Sequence, residues 1–120
     1  FHSDVICFNA CRVAEEVSAK GIIGVTVSGY TAFKVSSFRP NAPIYIFSNH
    51  QSMLKSLNLL WGVRCFYYDR FTSTDETIED CAAILKEAGR VQKGDTVINT
   101  GSMPLEKRLS TNFLKVTEIE

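Results

Sequence analysis

Thr26-Val27-Ser28-Gly29-Tyr30-Thr31 is the stretch whose residue types and spacing carry the clearest chemistry. It closes an apolar, β-branched run over 22–27 that reads as a buried parallel strand, and a helical pattern starts at Thr31. A strand that feeds a helix through a short Gly/Ser/Thr turn leaves backbone N–H groups at the helix start, flanked by hydroxyls. That end carries partial positive charge and suits a phosphate. Ser and Thr also serve at such turns as plain N-caps, and the local pattern fits both roles. A second polar segment, from Gly101 to Thr111, holds Ser102, Lys107 and Arg108.

Other arrangements with reactive potential are sparse. The chain has no Ser/His/Asp set and no paired carboxylates placed for acid–base work. His50 falls in the first turn of a helical pattern. Asp75 and Glu76 sit at a helix start, where they complement the dipole. Cys7, Cys11, Cys65 and Cys81 lack C-x-x-C spacing. Cys7 and Cys11 lie four apart, but only His2 and His50 could join them on a metal, and neither has zinc-site spacing. The four read as thiols of a reducing compartment. These residues argue for binding or regulation rather than catalysis.

The elements that must position the Thr26–Thr31 turn follow a regular alternation. A first helix has Ser3 as N-cap, a stripe of Ile6, Ala10, Val13 and Val17, and Gly21 as its stop. The strand at 22–27 leads into a short helix from about Thr31 to Phe38, broken by Arg39-Pro40. Ile44 to Phe47 is a second strand. Ser48 and Gln51 have capping-box spacing before a helix with Met53, Leu57 and Leu60, ended by Gly62. Val63 to Tyr68 is the third strand. Ser73 and Glu76 form another capping box, opening a helix with Ile78, Cys81, Ala82 and Leu85. Thr96 to Asn99 is the fourth strand, and Asn112 to Ile119 the last.

This order predicts an α/β three-layer sandwich, with a five-stranded, mostly parallel sheet and helices on both faces. The last two strands lack a helix between them, so the fifth pairs antiparallel at an edge. Ligands of open sheets sit beyond the carboxyl ends of the strands. With the first and fourth strands as neighbours, the Thr26–Thr31 and Gly101–Thr111 loops face each other across one crevice.

At 120 residues, 45% of them hydrophobic, the chain suits one domain over 1–120. Thirteen basic residues balance thirteen acidic ones, which suggests neither nucleic acid nor an anionic membrane as partner. No apolar stretch approaches the roughly 18 residues of a membrane span, and no signal peptide is visible. A cytoplasmic location is expected. Phe1 in place of Met suggests a piece of something longer.

Several phrases in order resemble the C-terminal domain of the pyruvate kinases. They are Thr26-Val27-Ser28-Gly29-Tyr30-Thr31, Phe38-Arg39-Pro40-Asn41-Ala42-Pro43-Ile44, Ser73-Thr74-Asp75, Lys93-Gly94-Asp95-Thr96-Val97-Ile98, and Thr100-Gly101 with Ser110-Thr111-Asn112. The resemblance covers nearly the whole chain. It implies a parent enzyme that transfers phosphate from phosphoenolpyruvate to ADP, with Mg2+ and K+. That chemistry belongs to a (β/α)8 barrel and lid domain absent from this chain, so no catalytic residue and no metal ligand is expected here.

The resemblance further implies an allosteric and oligomerisation role. Thr26, Val27, Ser28, Gly29, Tyr30 and Thr31 would hold an effector phosphate, and Gly101, Ser102, Lys107 and Arg108 would belong to the facing effector loop. Val27 and Tyr30 stand where many responsive members place polar or basic residues. The terminal loop is longer than the glycine-rich loop of fructose-1,6-bisphosphate-activated members and lacks their second glycine. A sugar phosphate or AMP is the expected effector class. Self-association is expected through the last strand, and through a first helix on which Cys7, Phe8 and Cys11 lie off the core stripe. The alternative is a free-standing phosphate-ligand module of the same fold without a catalytic partner.

Overall fold

A computed structural model describes residues 2–26, 28–70, 73–101 and 111–120. Along the chain run α1 (His2–Glu16), β1 (Gly21–Val25), α2 (Tyr30–Ser37), β2 (Ile44–Ser48), α3 (Gln51–Leu57), β3 (Val63–Tyr67), α4 (Thr74–Glu87), β4 (Thr96–Gly101) and β5 (Phe113–Glu118). The strands lie in the order β3-β2-β1-β4-β5. The first four are mutually parallel, and β5 pairs antiparallel with β4 from Thr96↔Glu118 to Gly101↔Phe113.

Alternation along each strand splits the core into two layers. Ile22, Ile44, Ile46 and Ile98 pack with Cys7 and Ala10 of α1, Ala32 and Val35 of α2, and Leu57 of α3. The alternate residues Ile23, Tyr45, Phe47 and Val97 pack with Cys81 and Leu85 of α4. The sheet is thus covered on both faces, as the α-β alternation predicts, and β1 and β4 are neighbours. The order of strand addition reverses between them: β2 and β3 lie to one side of β1, and the crossover through α4 returns to the other. This is the switch point of a doubly wound sheet.

Several local expectations give way. Ser3 lies inside α1, buried, and its Oγ donates to Thr111 O at 3.3 Å. The buried stripe of α1 is Ser3, Cys7, Ala10, Cys11 and Ala14, while Val17 is exposed and Ile6 and Val13 are only half-buried. Small side chains bring this helix close to Ile22 and Ile98, so size outweighed hydrophobicity in choosing its inner face. Cys7 and Cys11 are therefore core residues; Phe8 alone of that trio is exposed.

Gly21 does not stop the helix but opens β1. A side chain there would meet the Tyr45 ring at 2.8 Å, so its bareness serves sheet packing. The turn is made instead by Ser18 at φ 53°. Ser48 ends β2 rather than capping α3; the N-cap is His50, without a side-chain cap bond, and Ser48 Oγ accepts from His50 N at 3.3 Å. α3 also ends early, because the Asn58 side chain turns to accept Cys65 N of β3 at 3.1 Å. The box at α4 forms as spaced: Ser73 Oγ accepts Glu76 N at 3.1 Å.

Candidate functional site

The carboxyl end of β1 carries the turn into α2. Thr26 prolongs the sheet by donating its N–H to Phe47 O at 3.1 Å, and its buried Oγ1 accepts Gly29 N at 2.9 Å. Ser28, exposed, accepts Tyr30 N on Oγ at 3.3 Å. Gly29 is the N-cap residue of α2 at φ 82°, with no side-chain cap bond. At that φ a β-carbon would be strained, so the turn favours glycine, and Met53 Sδ would lie 3.2 Å from the added atom.

These contacts settle which amides are spoken for. The Thr26 and Ser28 hydroxyls act as caps toward Gly29 and Tyr30. A helix cannot satisfy its own first amides, and those of Thr31 and Ala32, both buried residues, donate no hydrogen bond to these side chains. Val27 lies outside the described residues.

The facing half comes from β4 and β5. Gly101 ends β4, buried, and its carbonyl accepts Asn112 N at 2.9 Å. A side chain at Gly101 would crowd the Phe113 ring at 3.1 Å and Val25 O at 3.3 Å, so β1 and β4 close tightly at this end. Ser102, Lys107 and Arg108 lie outside the described residues. Just beyond them, Thr111 Oγ1 shares a hydrogen bond with Thr31 Oγ1 at 2.6 Å, both residues buried. The two loops are therefore joined at their stems, across the β1/β4 switch point.

Thr111 is the junction of the site, and it is bound from a third side by Ser3 of α1. Neither residue carries a motif of its own; only the phrase Ser110-Thr111-Asn112 marks the spot in the sequence. Burial pushes the neighbouring Cys7 thiol up to about 11, against a lesser opposite effect of a hydrogen bond with Thr111.

At the rim, Tyr30 places its phenol against the Asp4 carboxylate, which also faces Lys34 Nζ at 3.6 Å. The Tyr30 hydrogen bond holds the Asp4 carboxyl below its usual range. Lys34 further lies over the Phe38 ring, 5.6 Å from its centroid. Lys34 is thus engaged by α1 and by its own helix. Among its described residues the turn itself offers hydroxyls and amides rather than fixed positive charge. Among the described residues no group of three His, Cys, Asp or Glu could hold a metal ion. No described helix is long and apolar enough to cross a membrane.

Comparison with known proteins places this geometry. The family model "Pyruvate kinase, alpha/beta domain" matches residues 4–117. A pyruvate kinase of Clostridium acetobutylicum is 39% identical over 118 residues, covering 98% of this chain and 25% of that protein. One from Lactobacillus delbrueckii subsp. bulgaricus is 35% identical over 114 residues, 95% of this chain and 19% of that protein. A crystal structure of a Cryptosporidium parvum pyruvate kinase superimposes over the whole chain with a TM-score of 0.90 at 23% identity, using 23% of its own length. The chain spans about a quarter or less of the length of these relatives.

Proposed function

The chain belongs to the pyruvate kinase family as an alpha/beta domain, and from that membership we propose that it is the regulatory and oligomerisation domain of such an enzyme. In this reading the parent protein transfers phosphate from phosphoenolpyruvate to ADP in the cytoplasm, with Mg2+ and K+ held by its catalytic part. This domain contributes a crevice for a phosphorylated effector, a sugar phosphate or AMP. The amides of Thr31 and Ala32 and the Ser28 hydroxyl receive the phosphate, and Gly29 lets the backbone approach it.

The observation that carries the reading is the junction of the two loops. Thr31 at the start of α2 and Thr111 at the end of the facing loop share a hydroxyl hydrogen bond. A ligand on one loop is therefore felt by the other, and by α1 through Ser3. In this reading Lys107 and Arg108 would supply the positive charge that Val27 and Tyr30 lack.

Crystals of the chain soaked in phosphate test the site. An ion on the Thr31 and Ala32 amides, displaced by a sugar phosphate or AMP whose own phosphate takes its place, is the expected outcome. Density elsewhere, or none, contradicts it.

A further inference from the structure

Asn99 lies on β4, 2% exposed, on the sheet face that packs against α4. Its amide nitrogen donates to Thr117 Oγ1 at 2.8 Å and Lys115 O at 3.4 Å, both on β5. Lys115 O is a carbonyl and only accepts. The amide is therefore fixed with nitrogen toward β5 and oxygen away from it. That oxygen, Oδ1, is buried and has no hydrogen-bond partner among the described residues. A buried amide oxygen without a donor is costly, and native folds seldom leave one so.

The same side chain borders a small cavity of about 10 Å³ where α4 crosses β1 and β4. Thr77 and Cys81 of α4 line it too. The Thr77 hydroxyl has given its proton to Ser73 O at 2.7 Å and keeps lone pairs. The Cys81 thiol is fully buried, and desolvation keeps it protonated, with an S–H to give. The remaining wall includes Ile23, Val25, Ile78 and Phe113, which would strongly disfavour an ion. The volume is about that of a single water, and a water requires two to four polar partners.

We propose that this cavity is a binding site for one water molecule, which donates to Asn99 Oδ1 and the Thr77 hydroxyl oxygen and accepts the Cys81 S–H. Asn99 Oδ1 then has its partner, and α4 is tied to β4 through the solvent molecule. The site lies under both loop stems, since Val25 and Thr100 line it and directly precede Thr26 and Gly101. It stands independently of the effector reading.

The test is a crystal structure of the chain at a resolution that shows ordered water, with Asn99→Leu alongside. The expected wild-type result is one water on Asn99 Oδ1 that also reaches Thr77 or Cys81. It should be lost in Asn99→Leu. A dry cavity in the wild type, or Oδ1 taking a hydrogen bond directly from a protein donor, overturns the proposal. The wild-type density decides the matter even if the Leu variant fails to fold.

Discussion

Thr111 holds more of the crevice together than any other described residue, because it touches α1 and α2 and leads into β5. Replacing it with Val keeps the shape and removes the hydroxyl, leaving Thr31 Oγ1 buried without its partner. Such a loss costs about 1–3 kcal/mol. Thr111→Val should lower the chemical-denaturation midpoint accordingly, and an unchanged midpoint would show that the 2.6 Å contact contributes nothing.

The buried thiols give a pH signature at the same scale. Burial pushes Cys7 and Cys11 from an ordinary 9.0 up to about 11. The unfolded chain ionises these groups first, so unfolding gains as pH rises from about 9 toward about 11, and their contribution is constant below that window. Denaturation measured below and within the window should show stability falling. The fall should be shallower in a Cys7→Ala, Cys11→Ala variant, and an equal slope would rule out these thiols as its source.

At the level of elements, capping and helix faces explain both what the sequence discloses and what it conceals. Two Ser-x-x-Gln/Glu spacings look alike, yet only Ser73 caps a helix. Ser48 is fully buried at the end of β2, where sheet pairing claims its backbone before the helix starts. Sheet pairing is a long-range matter, and no local spacing reports it. Ser73→Ala should therefore destabilise by about 1 kcal/mol, with the lost bond to Glu76 N as its cause. Equal helix stability in the variant would contradict this.

The α-β alternation, the antiparallel last strand and the β1/β4 neighbourhood are legible because period and connection length determine them. The inner face of α1 is not. Its Cys and Ala residues are chosen by the closeness of the sheet, and the larger Val5 and Phe8 are left outside. Likewise, the sequence marks the hydroxyls of the phosphate-suited turn but not that Thr26 and Ser28 already cap Gly29 and Tyr30. That follows from the left-handed turn at Gly29.

For the molecule as a whole, two surfaces bear on assembly. Val5 and Phe8 of α1, Tyr30 and Phe33 of α2, and Val116 of β5 are large apolar side chains left exposed. β5 is also an edge strand with one row of backbone groups unpaired by the sheet. Lys115 and Glu118 on that strand are exposed charges that oppose edge pairing. In our reading, α1 and β5 meet a second copy about a two-fold axis. Sedimentation in the micromolar range should show a concentration-dependent dimer that Phe8→Glu weakens. A monomer at every concentration would contradict this.

Effector binding is the centre of the account, and calorimetric titration of the chain with sugar phosphates and AMP tests it most directly. The account predicts saturable binding of at least one of them, weakened by about 1–3 kcal/mol in Ser28→Ala, the scale of a hydrogen bond to a charged group. Absence of binding, or affinity unchanged in Ser28→Ala, would contradict it and leave that hydroxyl as a helix cap alone.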